Sequence, residues 1–327
     1  MIAFAQPDLR GNELKYLTEC IETNYVTHAG RFERDFEQAF AKKFGSPALA
    51  TSSGTGALHI ALLSLGVGRG DEVILPDLTF GATASVVVAS GATPILVDID
   101  PATWGLDKDR AMAAITERTK AIVPVHLYGC DAGDFSALGI PVIEDACEAL
   151  GVVPIRGRMA AYSFYGNKFI TTGEGGMLCG DFGEGRLWRD GGFDAQYRNH
   201  VPGLNYRMSN LQAALGLAQI ERFDLLAGVR RSNARRYSSA LKGRGEWVFV
   251  AQVSSPKLVR EKLSECGIDS RPVFFPLHRS PAFETVGDFE QTEHIWKHGI
   301  CLPTGPHVTD EQITKIIEVV HGARNLQ

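Results

Sequence analysis

Glu72-Val73-Ile74-Leu75-Pro76-Asp77, then Thr79 to Ser90, then Pro94-Ile95-Leu96-Val97 is the stretch that decides the fold. The two apolar runs are too short for helices and read as strands. The Ala- and Val-rich segment between them reads as a helix. A strand, a crossover helix and a second strand pair in parallel. The pattern extends in both directions. A helix is expected from about Asp107 to Glu117, and strands over Lys120 to Val125 and Pro141 to Ile143. Upstream, Thr51-Ser52-Ser53-Gly54-Thr55-Gly56 leads into the helical run Ala57 to Leu63. Phe32, Phe36, Phe40 and Phe44 recur every four residues, the core-facing stripe of a helix from about Arg31 to Phe44. The expected class is α/β, with a mostly parallel sheet between helices. Two amphipathic helices follow, roughly Met208 to Phe223 and Asp224 to Lys242. Beyond Gly243 the texture changes to Trp247-Val248-Phe249-Val250, a helix near Pro256 to Cys266 and a last helix from about Thr309 to Val320. We expect a large domain over 1–242 and a smaller α+β domain over 243–327, with the N-terminal residues packing on the smaller one.

Composition narrows the function. The 327 residues are 44% apolar and 22% charged, ordinary for a globular chain. A formal net charge of −5 gives no footing for nucleic acid. Arg230, Arg231, Arg235 and Arg236 lie in a helical pattern and read as a solvated face. Cys20, Cys130, Cys147, Cys179, Cys266 and Cys301 show no paired or metal-ligand spacing, so they read as free thiols of a reducing compartment. His294 and His298 are four apart but lack the adjacent Glu of a zinc helix, and no metal is expected. The first residues have no basic stretch before an apolar one, and no run is long enough to span a bilayer. The expectation is a cytoplasmic protein without membrane partners.

The chemistry gathers around Lys168, in Tyr162-Ser163-Phe164-Tyr165-Gly166-Asn167-Lys168, with Gly173-Glu174-Gly175-Gly176 behind it. A lysine amine can condense with an aldehyde cofactor, and an acid can keep that cofactor's pyridine nitrogen protonated. Asp145 ends an apolar run, and Glu148 stands one helical turn later. Ser53-Gly54-Thr55-Gly56 opens a helix, where small residues let backbone amides approach a phosphate. Phe80 follows a strand end and suits ring stacking. Each feature alone has a plainer reading: a capping turn, a core aromatic, an Asp closing a turn, a strand serine at Ser163. Ligands of parallel sheets bind beyond the carboxyl ends of the strands, and Pro76-Asp77, His126, Asp145 and Lys168 all fall at or just after such ends. The set suggests pyridoxal 5'-phosphate (PLP).

Taken together, the motifs resemble the DegT/DnrJ/EryC1/StrS family of PLP-dependent sugar aminotransferases, nearly end to end. They include Ser53-Gly54-Thr55-Gly56-Ala57-Leu58-His59, Gly70-Asp71-Glu72-Val73-Ile74 and Pro124-Val125-His126-Leu127-Tyr128-Gly129. Ile143-Glu144-Asp145-Ala146-Cys147-Glu148-Ala149, the Lys168 segment, Asn205-Tyr206-Arg207-Met208-Ser209-Asn210 and Arg271-Pro272-Val273-Phe274-Phe275-Pro276-Leu277-His278 complete them. The resemblance implies the fold-type I aminotransferase architecture. It implies that Lys168 carries the cofactor and moves protons, and that Asp145 pairs with the ring nitrogen. Phe80 would stack on the ring, and Gly54, Thr55 and Ser163 would bind the phosphate. Asn205 would reach the phosphate of a neighbouring subunit, which implies a homodimer with shared active sites. Glu148, where many members have Gln, would lie near the cofactor, and Arg271 and His278 near the sugar. Glu148 with Tyr165-Gly166-Asn167-Lys168 is similar to the GDP-perosamine synthase branch. That similarity implies L-glutamate as amino donor and a nucleotide-linked 4-keto-6-deoxy hexose as acceptor, in cell-surface polysaccharide (lipopolysaccharide) or aminosugar biosynthesis. Two segments depart from the pattern: Cys130 to Gly139 is shorter than the usual crossover, and Gly151 to Ala161 is trimmed. Other readings are a related PLP enzyme acting on another keto sugar, an octulosonate or a cyclitol, and a PLP-binding regulator without turnover.

Overall fold

In the computed structural model, which describes residues 1–324, a twisted sheet forms the central layer. Thr93–Val97, Glu72–Pro76 and Thr119–Ile122 pair in parallel, in that order. Ile143–Asp145, Met159–Ser163, Gly176–Gly180 and Ala48–Thr51 continue the layer. Parallel bridges at Ile122–Val142 and Val125–Asp145 join the two sets. Gly176–Gly180 runs antiparallel to both of its neighbours. Every residue of Glu72–Pro76 is buried, as a central parallel strand covered on both faces requires.

The helices follow their apolar stripes. Arg31–Phe44 buries Phe32, Phe36 and Phe40, and Phe36 and Phe40 lie against Phe164. A Cβ on Gly216 would come within 2.5 Å of the Phe36 ring, so glycine there lets the helix Asn210–Glu221 press close. Gly54–Ser64 is apolar all round and buries nearly its whole length. The helix expected over Asp107 to Glu117 is only Lys108–Ala113. Asp107 caps its start, and the backbone turns where the Thr116 amide donates to Thr119.

No α-helix crosses from Thr119–Ile122 to Ile143–Asp145. Two short 3-10 turns, Leu127–Gly129 and Ser136–Leu138, fill the connection. Phe135 is buried there, and Leu138 and Ile140 pack on Leu106, Ala111, Ile122 and Val142. Three apolar side chains thus cover a sheet face that a helix would otherwise cover.

A second, antiparallel sheet joins Arg271–Pro272, Gly299–Leu302, Phe249–Gln252 and Gly243–Arg244. Helices Pro256–Glu265 and Asp310–Arg324 pack near it, around Phe249, Val259, Leu263, Ile300, Ile313 and Ile316. Ile2 enters the same cluster, bridging to Ile268. Among the described residues, no helix is long and apolar enough to cross a membrane.

The arginine cluster differs from its sequence reading. Arg231 and Arg236 pair with Glu246 and Asp310, but Arg230 is only 5% exposed. The cause is helical phase: on Phe223–Ala240, Arg230 shares the inward face with Leu226, Ala227, Asn233, Ala234 and Tyr237.

Candidate active site

The carboxyl ends of the parallel strands open into a cavity of about 330 Å³. Gly54, Thr55, Phe80, Asp145, Glu148, Ser163 and Lys168 all line it. One wall is the start of the helix Gly54–Ser64. The Ser53 hydroxyl caps it by accepting from the Gly56 amide (3.0 Å). Among the described residues, the amides of Gly54 and Thr55 have no acceptor in the chain. A Cβ on Gly54 would lie 2.7 Å from the Cys147 sulfur and 2.9 Å from Ser163 Cβ. Only glycine lets the strand ends approach that closely, and the free amides at a helix start form an anion cradle. Phe80 is 60% exposed and offers its ring to the space.

Asp145 ends its strand almost fully buried. Its Oδ2 accepts from the Thr83 hydroxyl (2.7 Å) and its Oδ1 from the Cys147 amide (3.1 Å). Two such donors fix the carboxylate and leave lone pairs for a cationic N–H. Lys168 Nζ lies 3.3 Å from Glu148 Oε1 and 3.9 Å from the centre of the Trp247 ring. Burial pushes the Glu148 carboxyl above its ordinary value, and the Lys168 charge opposes that rise. The other Glu148 oxygen accepts from the Tyr128 amide (2.8 Å). Tyr128 holds a left-handed backbone, φ 56°, costly for a non-glycine residue and concentrated at functional sites. Its hydroxyl accepts from the Phe274 amide (2.9 Å), and its ring lies parallel to Trp247 and Phe274.

Three residues singled out in the sequence lie elsewhere. Asn205 is exposed and accepts from Arg207. Arg271 lines a second cavity of about 800 Å³, which shares Tyr165, Asn167, Trp247 and Phe274 with the first. There it pairs with Asp269 (2.8 Å) and lies over Phe4. His278 is tied down. Its backbone amide and Nδ1 both meet Asp77 at 2.7 Å, Nε2 sits 3.2 Å from Glu293, and its ring stacks on Phe289. His126, also at a strand end, is fully buried and accepts from the Ala132 amide. Sequence reasoning missed Thr83, Trp247 and Phe274. Thr83 had a usable signal: it lies one helical turn past Thr79, just after a strand end.

The family model for the DegT/DnrJ/EryC1/StrS aminotransferases matches residues 7–321. The chain belongs to that family. It is a transaminase, a sugar aminotransferase, and pyridoxal phosphate is its cofactor. GDP-perosamine synthase of Caulobacter vibrioides is 40% identical over 358 aligned positions, covering 97% of this chain and 96% of its own. The aminotransferase EpsN of Bacillus subtilis, putatively PLP-dependent by its name, is 34% identical and covers 98% and 95%. Among solved structures, a putative sugar aminotransferase from Streptococcus pneumoniae in its PMP form superposes with a TM-score of 0.92, at 25% identity and full coverage of both chains. DesV of S. venezuelae gives 0.89 at 30% identity, over 95% and 94%. The residues present fit the cofactor. Open amides await a phosphate, a fixed carboxylate faces the cavity, and an aromatic face and a primary amine line the same space.

Proposed function

We propose that this family member moves an amino group from L-glutamate to a nucleotide-linked 4-keto-6-deoxy hexose, in the manner of a GDP-perosamine synthase. The observation that carries the reading is the meeting of Lys168, Asp145 and Glu148 in one cavity, with the larger, aromatic-lined cavity sharing its wall. The similarity to proteins named GDP-perosamine synthase, at 32% to 40% identity over nearly whole chains, supports the acceptor. Similarity to a spore coat polysaccharide biosynthesis protein supports a place in polysaccharide assembly. Six free cysteines support a cytoplasmic setting.

In this reading Gly54, Thr55 and Ser163 hold the phosphate, Phe80 covers one ring face, and Asp145 accepts from the ring N–H. Bound there, the cofactor supplies an electron sink. Lys168 Nζ anchors it and moves the proton at the donor's α-carbon. Glu148 orients that amine through its Oε1, while its Oε2 is held by the Tyr128 amide. Arg271 lies in the second cavity, where the sugar-bearing substrate would enter. His278 is locked by Asp77 and Glu293 and lines neither cavity. Asn205, exposed on its own subunit, is free to enter the site of a second copy, so the working unit is a homodimer.

The test pairs the purified protein with glutamate and a panel of nucleotide-linked keto sugars, a GDP-linked 4-keto-6-deoxy hexose among them. The expected result is an amino sugar identified by mass and NMR. Borohydride should fix the cofactor's mass to the wild-type chain, but not to Lys168→Ala, which should make no product. Full turnover by Lys168→Ala would sink the assignment.

A further inference from the structure

Arg230 is a buried charge that the site described above does not use. It stands on the inward face of Phe223–Ala240, and among the described residues no carboxylate pairs with it. Its guanidinium lies over the Phe169 ring, and among the described residues it donates only to backbone carbonyls. One terminal nitrogen donates to Trp247 O (3.2 Å), the other to Asn167 O (3.3 Å) and Lys168 O (2.9 Å). Its Nε, among the described residues, has no partner. A buried cation without a counter-charge is costly, and burial alone lowers this guanidinium to about 10. Donation to carbonyls needs no charge, so simple stability does not account for it. What distinguishes Arg is the planar fork, whose two terminal nitrogens rigidly link Trp247 O to the Asn167 and Lys168 carbonyls.

Two of the three carbonyls it reaches belong to Lys168 and its neighbour Asn167. Trp247, held by the same guanidinium through its carbonyl, donates its indole N–H to Asn167 O (2.8 Å) and lays its ring under Lys168 Nζ. Thr304 Oγ1 also donates to Trp247 O (2.5 Å). Arg230 on the helix and Trp247, just before the strand Phe249–Gln252, thus meet on the Asn167 carbonyl, next to the residue that carries the amine.

We propose that Arg230 is a positioning residue for Lys168: it fixes the 167–168 backbone, with Trp247, so that Nζ points into the cofactor cavity. The inference rests on the assignment of Lys168 as the cofactor's anchor, and its test separates the two. Pyridoxamine phosphate occupies the same cradle but forms no bond to a lysine. Its affinity therefore reports the cavity, whereas the rate of borohydride-trapped attachment of PLP to Lys168, mapped by peptide mass, reports the amine's placement. Arg230→Lys keeps the charge and loses the fork. The expected result is pyridoxamine phosphate binding within about twofold of wild type and PLP attachment slowed about tenfold or more, since small misplacements of a reacting group cost that much. Trp247→Phe, which removes the indole donor and part of the ring but keeps an aromatic face, should slow attachment more than it weakens pyridoxamine phosphate binding, and it serves if Arg230→Lys does not fold. Equal loss of both measurements, or no loss of either, overturns the proposal. Absence of attachment to Lys168 in the wild type overturns the anchor assignment instead.

Discussion

Asp145 shows how much of the site is set by a single side chain. Both of its oxygens are engaged by neighbours, so its orientation does not depend on a ligand. Asp145→Asn keeps an acceptor for Thr83 but loses the charge that would hold a ring proton. Turnover should fall by about two orders of magnitude, the usual scale for a lost proton-holding group. The melting temperature should move by no more than a few degrees. Steady-state kinetics beside thermal unfolding checks both. Lys168, Asp145 and Glu148 were legible because their motifs are local, each a strand end or loop of a few residues. Trp247 was not. Its contact with Lys168 joins positions far apart in the chain, which no spacing encodes. Arg230 was misread because four arginines on one helix look alike until packing fixes the phase. The stripe Leu226, Ala227, Ala234 and Tyr237 carried that phase.

At the scale of elements, the alternation of apolar runs and helical segments was enough to read the parallel strands. Gly176–Gly180 was harder, because its glycines suggested only a turn. A Cβ on Gly176 would sit 2.4 Å from Ser53 backbone atoms, so the strand needs glycine where it passes the cradle. The helix-free crossover brings the two shortened segments together: Arg156 grips both oxygens of Asp131 at 2.6 and 2.7 Å. That grip is the main reason the Asp131 carboxyl falls to about 2, with burial opposing it. The folded value lies below the unfolded one, so the pair's contribution is complete above about pH 4 and fades as pH falls toward 2. The carboxylate is 44% exposed, and such pairs contribute about 0.2–1 kcal/mol. Arg156→Met should therefore lower the urea midpoint slightly at pH 6, and the gap should shrink at pH 3. A gap that grows in acid would contradict this account.

At the scale of the whole molecule, the proposal that the site is shared between copies makes a sharp forecast. In a mixed dimer of Lys168→Ala and Asn205→Asp chains, one site loses both residues and the other keeps both. Random mixing of two inactive proteins should then restore about a quarter of wild-type activity, as closed two-fold symmetry dictates. Continued inactivity after subunit exchange would argue for self-contained subunits. The stitching of the N-terminus has its own consequence. Ile2 is held between Gly267 and Asp269 (2.7 and 2.9 Å), and Ala3 O meets His307 at 2.8 Å. Those partners lie near the opposite end of the chain. During synthesis, Ile2 and Ala3 must therefore wait for these partners until residues 267–307 have emerged from the ribosome.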